Sequence, residues 1–272
     1  ESDCILMLGC FLTDIDTGGE LDRLNEDRCI YATSEDICVR HHHYQNVLLA
    51  DFMRGLLNSN LRAPTRAPLP PATKNGHAAP PTGAAITMRY LFQRLNDVLD
   101  ENMVVVADIG DSLFAAAELG IRRRTELISP AYYTSMGFGV PGALGAAFAR
   151  PELRQIVVVG DGAFQMTGTE LSTIARHGFA PIVVVLNNGL YGTEEAILEG
   201  PFNDLHSWEY HRLPELIGKG AGYDVRTELE LDAALTSALA NTKSFSILNV
   251  HLARTDRSPA MARLAERLGK KL

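Results

Sequence analysis

Residues 156–195 read IVVVGDGAFQMTGTELSTIARHGFAPIVVVLNNGLYGTEE. Two apolar, β-branched runs, Ile156–Val159 and Ile182–Leu186, bracket a stretch with helical spacing, which predicts a strand, a turn, a helix and a second strand. Gly160-Asp161-Gly162 closes the first run and Asn187-Asn188 closes the second. Both polar clusters therefore fall at the carboxyl ends of strands, the edge at which ligands sit in parallel α/β sheets. The two glycines permit a tight turn and a close backbone approach. A helix starting near Ala163 offers N–H groups to an anion. Asp161 and the Asn188 side chain are hard oxygen ligands, suited to Mg²⁺ bridging a diphosphate.

Working outward, residues 86–272 read as one α/β domain. Ile86–Leu99 has helical spacing. Met103–Asp108 reads as a strand ending in Gly110-Asp111-Ser112, and a helix follows with Phe114 and Ala115–Ala117. The stretch SMGFGVPGALGAAFA (residues 135–149) has small residues that let a helix pack closely on a neighbour. Phe245–Leu252 reads as a late strand and Met261–Leu268 as a terminal helix. Strands alternating with helices imply a doubly wound parallel sheet. No G-x-G-x-x-G opens a helix after a first strand, which argues against a nicotinamide dehydrogenase.

Residues 1–58 read as part of a smaller α/β domain. Cys4–Gly9 and Cys29–Thr33 are apolar enough for strands, and His41 to Leu57 carries apolar residues at helical spacing. Two strands and one helix are few for a free-standing domain. Residues 59–85, rich in Pro and Ala and without periodicity, read as an interdomain linker. The chain opens on Glu1 and enters an apolar run at once. It reads as the second half of something longer.

The 272 residues suffice for one large or two smaller domains, and 46 % are apolar. A formal charge of −8 argues against a nucleic-acid surface. The dense basic runs, Arg122-Arg123-Arg124 and Lys270-Lys271, read as solvated surface. Cys4, Cys10, Cys29 and Cys38 form no C-x-x-C pair, so neither a zinc site nor a redox motif is indicated, and reduced thiols in a cytoplasmic protein are expected. No apolar run is long enough to span a membrane, and no signal peptide is visible.

The Gly-Asp-Gly to Asn-Asn segment resembles the signature of the thiamine diphosphate (ThDP) enzymes of the pyruvate decarboxylase superfamily. Nearly the whole chain is similar to the carboxyl-terminal half of the 2-oxo acid decarboxylases. VADIGDSLF (residues 106–114) and AYYTSMGFGVPGALG (residues 131–145) lean to the phenylpyruvate branch. GTEEAILEGPFNDLHSWEY (residues 192–210) leans to the pyruvate and indolepyruvate branch, where an acid follows the Asn-Asn pair by six positions, here Glu194. On this resemblance residues 1–58 are part of the middle domain and 86–272 the diphosphate-binding domain.

The resemblance implies roles residue by residue. Asp161, the Asn188 side chain and the Leu190 carbonyl would ligate Mg²⁺; many relatives have Gly at the Leu190 position, which a backbone ligand tolerates. Gly160 belongs to the same turn, and Gly162 and Ala163 would meet the diphosphate through backbone N–H groups. Asp111 and Ser112 would contact the cofactor from a neighbouring strand end. Since a carboxylate repels a diphosphate, Asp111 is read as a hydrogen-bonding group or a cap for the helix that follows. Met136 would support the bent cofactor and the Thr134 carbonyl would accept from its aminopyrimidine; ordinary core packing is the alternative for Met136. Glu194 would be the catalytic acid, with Glu195 as the fallback and a solvated helix-terminal carboxylate as the alternative.

The reaction so implied is non-oxidative decarboxylation of a 2-oxo acid (pyruvate, indolepyruvate or phenylpyruvate) to an aldehyde and CO₂. Competing readings are a carboligase of the acetolactate synthase type and a cofactor-binding fragment without activity. Family members take an activating glutamate and a His-His pair from a pyrimidine-binding domain, and nothing in residues 1–85 matches it. His41-His42-His43 reads as surface at the start of a helix. A second copy or a separate chain would supply that domain, implying a homodimer or homotetramer. His177 is expected at a helix C-terminus, His206 and His251 have no visible partner, and Trp208 and Tyr210 border the substrate cavity or pack in the core.

Overall fold

The computed structural model describes residues 3–12, 25–61, 77–120 and 127–268, in two compact units, Glu1–Ala72 and Thr73–Leu272. The basic runs at Arg122–Arg124 and Lys270-Lys271 lie outside the described residues.

In the first unit β1 (Ile5–Leu8) pairs in parallel with β2 (Cys29–Ala32), which continues antiparallel into β3 (Asp36–Val39) and β4 (His42–Gln45); α1 (Leu49–Asn58) follows. The helix expected from His41 is therefore two elements. His42 and His43 belong to an exposed edge strand. Arg40 and Asn46 both take left-handed backbone (φ 54° and 60°), which turns the chain into β4 and ends it before α1 can start.

The second unit is a six-stranded, wholly parallel sheet. Its strands are β5 (Met103–Ala107), β6 (Leu127–Ile128), β7 (Arg154–Gly160), β8 (Ile182–Asn187), β9 (Ala221–Val225) and β10 (Ser246–His251), in the order β6-β5-β7-β8-β10-β9. Its helices are α2 (Met88–Val98), α3 (Asp111–Ala116), α4 (Gly139–Ala149), α5 (Asp161–Thr167), α6 (Leu171–His177), α7 (Gly192–Ile197), α8 (Leu213–Ile217), α9 (Glu228–Ala240) and α10 (Pro259–Leu268). This is the doubly wound α/β sheet expected. It is buried on both faces, which is why its central strands are unbroken Val and Ile runs. Alternate residues serve opposite layers. Val105, Ile156, Val158 and Val184 pack with Leu91, Leu95, Leu231 and Leu235 of α2 and α9. Val104, Val157, Val159 and Val183 pack with Val140, Phe164 and Ile174 of α4, α5 and α6.

Residues 77–85, expected in the linker, are bound to this second unit. His77 and Ala78 bond the Asp97 carboxylate, Thr82 bonds Glu228 through backbone and hydroxyl, and Ala85 bridges to Thr227. The chain leaves β5 towards β6 on one side and returns to β7 on the other, so the direction of winding reverses between β5 and β7. The crevice at such a reversal is where this class of sheet takes ligands. No described helix is long and apolar enough to cross a membrane.

Candidate active site

A half-open cleft of about 550 Å³, its mouth included, lies at the carboxyl ends of β5, β7 and β8. Gly110, Asp111 and Ser112 enter from β5, Gly160 to Ala163 from β7, and Asn188, Leu190 and Glu194 from the loop and helix after β8. Met136 closes another side, with Met88, Ile109, Tyr191 and Leu252 among the other walls. Segments far apart in sequence thus converge because each follows a neighbouring parallel strand.

Asp161, 1 % exposed, is the first residue of α5. Its Oδ1 accepts from the Gly162 N–H at 3.0 Å and its Oδ2 from the Gly189 N–H at 2.8 Å. Burial pushes its pKa up to about 6 despite these bonds. A carboxylate so desolvated is poised for a cation, which would bring it back into the charged form. Gly189 has φ 74°, a left-handed turn that swings the loop back onto Asp161. The Asn188 Oδ1 accepts from the Leu190 N–H at 3.2 Å, and Leu190 is buried, its backbone bridging to Asp204. Leucine fits this position because its φ is not left-handed. Gly162 is required for space: a Cβ there would meet the Tyr191 ring at 2.5 Å.

The Ser112 hydroxyl is buried on the cleft wall with no hydrogen-bond partner among the described residues. An orphaned donor there fits a polar ligand that completes it. Asp111 is the first residue of α3 rather than its cap, which is Gly110. Its two oxygens accept from the Ser258 N–H at 3.3 and 3.0 Å, and burial raises its pKa. It works through a hydrogen bond that ties the entry of α10 to the cleft.

The two adjacent glutamates separate by geometry. Glu195 accepts from the buried Asn203 amide at 2.8 Å, and Asn203 also donates to the Leu198 carbonyl. Glu194 lines the cleft and remains solvent-accessible. Met136 both lines the cleft and packs on the core around Val140 and Phe164. Thr134 is not among the cleft-lining residues. Its φ of 51° is rare for a β-branched residue and marks a held turn, closed by its N–H on the Pro130 carbonyl at 2.8 Å.

Sequence reading missed two groups. Asp108, fully buried at the end of β5, accepts from the N–H groups of Ile109, Gly137 and Gly139 at 2.9, 3.2 and 2.7 Å. Gly137-Phe138-Gly139-Val140-Pro141-Gly142 does satisfy G-x-G-x-x-G and opens α4, but this carboxylate fills the helix terminus that a dinucleotide would need. The second is a chain of polar side chains behind Asn187. The Asn187 amide donates to Asn249 Oδ1 at 2.9 Å, and Asn249 donates to Asp224 Oδ1 at 3.0 Å. His251, for which no partner was expected, lies 2.6 Å from the same Asp224 oxygen.

His177 ends α6 and sets its ring against Phe148 and Phe179. The His206 carbonyl accepts from Gln165. Tyr210 is 2 % exposed, edge-on to Phe164, and bonded through its hydroxyl to Gln165; it and Trp208 line a groove separate from the cleft. Among the described residues no group of three His, Cys, Asp or Glu side chains is placed to hold a metal. The cation set expected here is of another kind: one carboxylate, one amide and one backbone carbonyl.

Residues 108–250 match the family model described as "Thiamine pyrophosphate enzyme, C-terminal TPP binding domain". The chain is 33 % identical to the indole-3-pyruvate decarboxylase of Azospirillum brasilense over 98 % of its own length and 49 % of that protein's. It is 34 % identical to the alpha-keto-acid decarboxylase of Mycolicibacterium paratuberculosis, over 75 % of this chain and 36 % of that one. The chain thus spans about half the length, or less, of these curated relatives. In fold it is similar to the thiamine diphosphate-dependent 4-hydroxybenzoylformate decarboxylase of Rhodococcus jostii RHA1, with a TM-score of 0.64 and 24 % identity over 78 % of this chain and 40 % of that one.

Proposed function

The chain belongs to the thiamine pyrophosphate enzyme family, whose C-terminal TPP-binding domain it carries, and we propose that its cleft holds ThDP with Mg²⁺ for the non-oxidative decarboxylation of a 2-oxo acid to an aldehyde and CO₂. One observation carries this reading: the buried Asp161 carboxylate is bonded to the loop that bears Asn188, and both line one cleft at the reversal of the sheet.

In this reading Asp161, the Asn188 side chain and the Leu190 carbonyl hold the cation. Gly162 and Ala163 would offer N–H groups at the start of α5 to the diphosphate, the Gly162 N–H being the one that Asp161 Oδ1 accepts from in this structure. The unpartnered Ser112 hydroxyl gains an acceptor. Met136 would support the cofactor from its side of the cleft, and the Thr134 carbonyl, outside the cleft lining, would accept from its aminopyrimidine as the resemblance implies. Bound in this way, ThDP supplies a carbon nucleophile for the 2-oxo group and a sink for the electrons released with CO₂. Glu194 holds and delivers a proton at the reacting centre, and it is free to do so because Asn203 engages its neighbour Glu195 instead.

Pyruvate, indolepyruvate and phenylpyruvate are the substrates in view; of these, a relative named above carries indolepyruvate in its name. On this reading a pyrimidine-binding domain from a second copy or a separate chain supplies the activating glutamate; supplied by a second copy, it makes the working enzyme a homodimer or homotetramer. The free cysteines among the described residues accord with a cytoplasmic setting. The test is product analysis by NMR with each 2-oxo acid, in the native protein loaded with ThDP and Mg²⁺. Aldehyde in step with CO₂ is expected. Acetolactate as the main product from pyruvate would replace this reading with a carboligase.

A further inference from the structure

We propose that Asp108 and Thr167, neither of which lines the cleft, are positioning residues that hold the backbone N–H and the carbonyl of Gly137 respectively and so set where Met136 enters the cleft. The proposal rests on the ThDP reading above for its functional consequence; the grip itself does not.

The Gly137 N–H donates to Asp108 Oδ1 at 3.2 Å, while its carbonyl accepts from the Thr167 hydroxyl at 2.7 Å. Both backbone polar groups of one residue, on the two peptide units that flank its Cα, are therefore held, from the end of β5 and from the end of α5. Gly137 has φ 86°, and a Cβ there would meet Thr167 Cγ2 at 3.0 Å, so the two segments are in close contact. Met136 is the preceding residue and forms part of the cleft wall.

Asp108 is a costly residue to bury, and its three bonds show what it does there. Burial raises its carboxyl above the ordinary range, and the three backbone N–H groups oppose that shift. Two of the three belong to the Gly137–Gly139 segment. The third is its own neighbour, Ile109, which also lines the cleft. Gly139 is the first residue of α4, and the preceding Phe138 offers no side-chain cap. The Asp108 carboxyl thus stands at the positive end of that helix, accepting from its first N–H as a local cap does in other helices. Thr167 closes the loop on the other side. It ends the helix that Asp161 begins, so Asp161 and the Met136 wall are joined by one run of contacts, Asp161 to Thr167 to Gly137 to Asp108.

The experiment uses the native protein and the variants Thr167→Val and Asp108→Asn. Thr167→Val keeps the shape and removes only the hydroxyl. In cofactor-free protein, amide hydrogen exchange of residues 134–139 is expected to quicken by about ten-fold or more in each variant, with β7 and β8 unchanged. With ThDP and Mg²⁺ bound, exchange of the thiazolium C2 proton is expected to slow by on the order of 10²-fold, while ThDP affinity stays within about three-fold. Unchanged amide exchange at residues 134–139 overturns the proposal. So does a loss expressed wholly in ThDP affinity with C2 exchange at the wild-type rate. If Asp108→Asn does not fold, Thr167→Val decides by itself. Should wild-type protein fail to take up ThDP, the functional reading fails, and the cofactor-free exchange still decides whether the grip exists.

Discussion

The Oδ2 of Asp161 accepts a hydrogen bond from the backbone N–H of Gly189 at 2.8 Å, across 28 residues of sequence. The two halves of the Gly-Asp-Gly to Asn-Asn signature are therefore assembled by the protein itself. Asp161→Ala should lower Mg²⁺-dependent ThDP affinity by on the order of 10²-fold or more, as loss of a cation ligand does. Calorimetric titration measures this directly. Affinity within a few-fold of wild type would remove Asp161 from the cation site.

Glu194 and Glu195 should part company on substitution. Glu194→Gln is expected to lower kcat by about 10²- to 10⁴-fold with ThDP affinity little changed. Glu195→Gln should leave kcat within about ten-fold and lower Tm by a few degrees, roughly 1 kcal/mol, as the Asn203 bond weakens. Steady-state kinetics and thermal melts on both variants settle the assignment; the reverse pattern would make Glu195 the acid.

The buried carboxylates give the cation-free protein a particular pH dependence. Burial lifts the Asp161 pKa from the ordinary 3.8 to about 6 in the fold, so the folded state holds the proton more tightly than the unfolded chain. Stability is therefore fullest below about pH 4 on this group's account, falls as pH rises through the interval to about 6, and is level above it. The loss is on the order of 3 kcal/mol. Asp108 and Asp111 shift in the same direction. Asp161→Asn should flatten its share of that fall. Saturating Mg²⁺ should restore stability above about pH 6, where the carboxylate is charged. Denaturant midpoints across this range, with and without Mg²⁺, check the sign.

Arg154 is half-buried and donates to the carbonyls of Ala180, Ala238, Leu239 and Asn241. It thereby closes the carboxyl end of α9 onto the β7 side of the sheet. Arg154→Met should cost about 2–4 kcal/mol, because four acceptors lose a charged donor at once. Urea unfolding reads it. A change below about 0.5 kcal/mol would mean that water replaces the guanidinium at no cost.

What could be read from the chain alone followed burial and locality. β5, β7 and β8 were legible because strands covered on both faces are written as unbroken Val and Ile runs. β9 was not: its AGYDV carries Gly and Asp at a sheet edge, where solvent tolerates both. α9 does carry a local sequence signal, the capping box that Thr227 and Glu230 form at its start. β4 reads as helix from sequence because apolar spacing further along, at Leu48 to Leu57, overshadows the turn residue Asn46. In the site, residues inside the Gly-Asp-Gly to Asn-Asn unit could be named because the motif is local. The role of Asp108 depends on Gly137 and Gly139, and that of Asp111 on Ser258, 147 residues away. No short-range pattern records such partners. The Asn203 to Glu195 bond is only eight residues long, yet it belongs to no recurring motif.

The most direct test of the account is titration of the native protein with ThDP in the presence and absence of Mg²⁺, read by calorimetry. The account predicts saturable, one-to-one binding per chain that requires Mg²⁺, weakens below about pH 6 as Asp161 takes up its proton, and is lost in Asp161→Ala. Absence of ThDP binding with Mg²⁺ present, or binding of equal strength without the cation and in the variant, would contradict it.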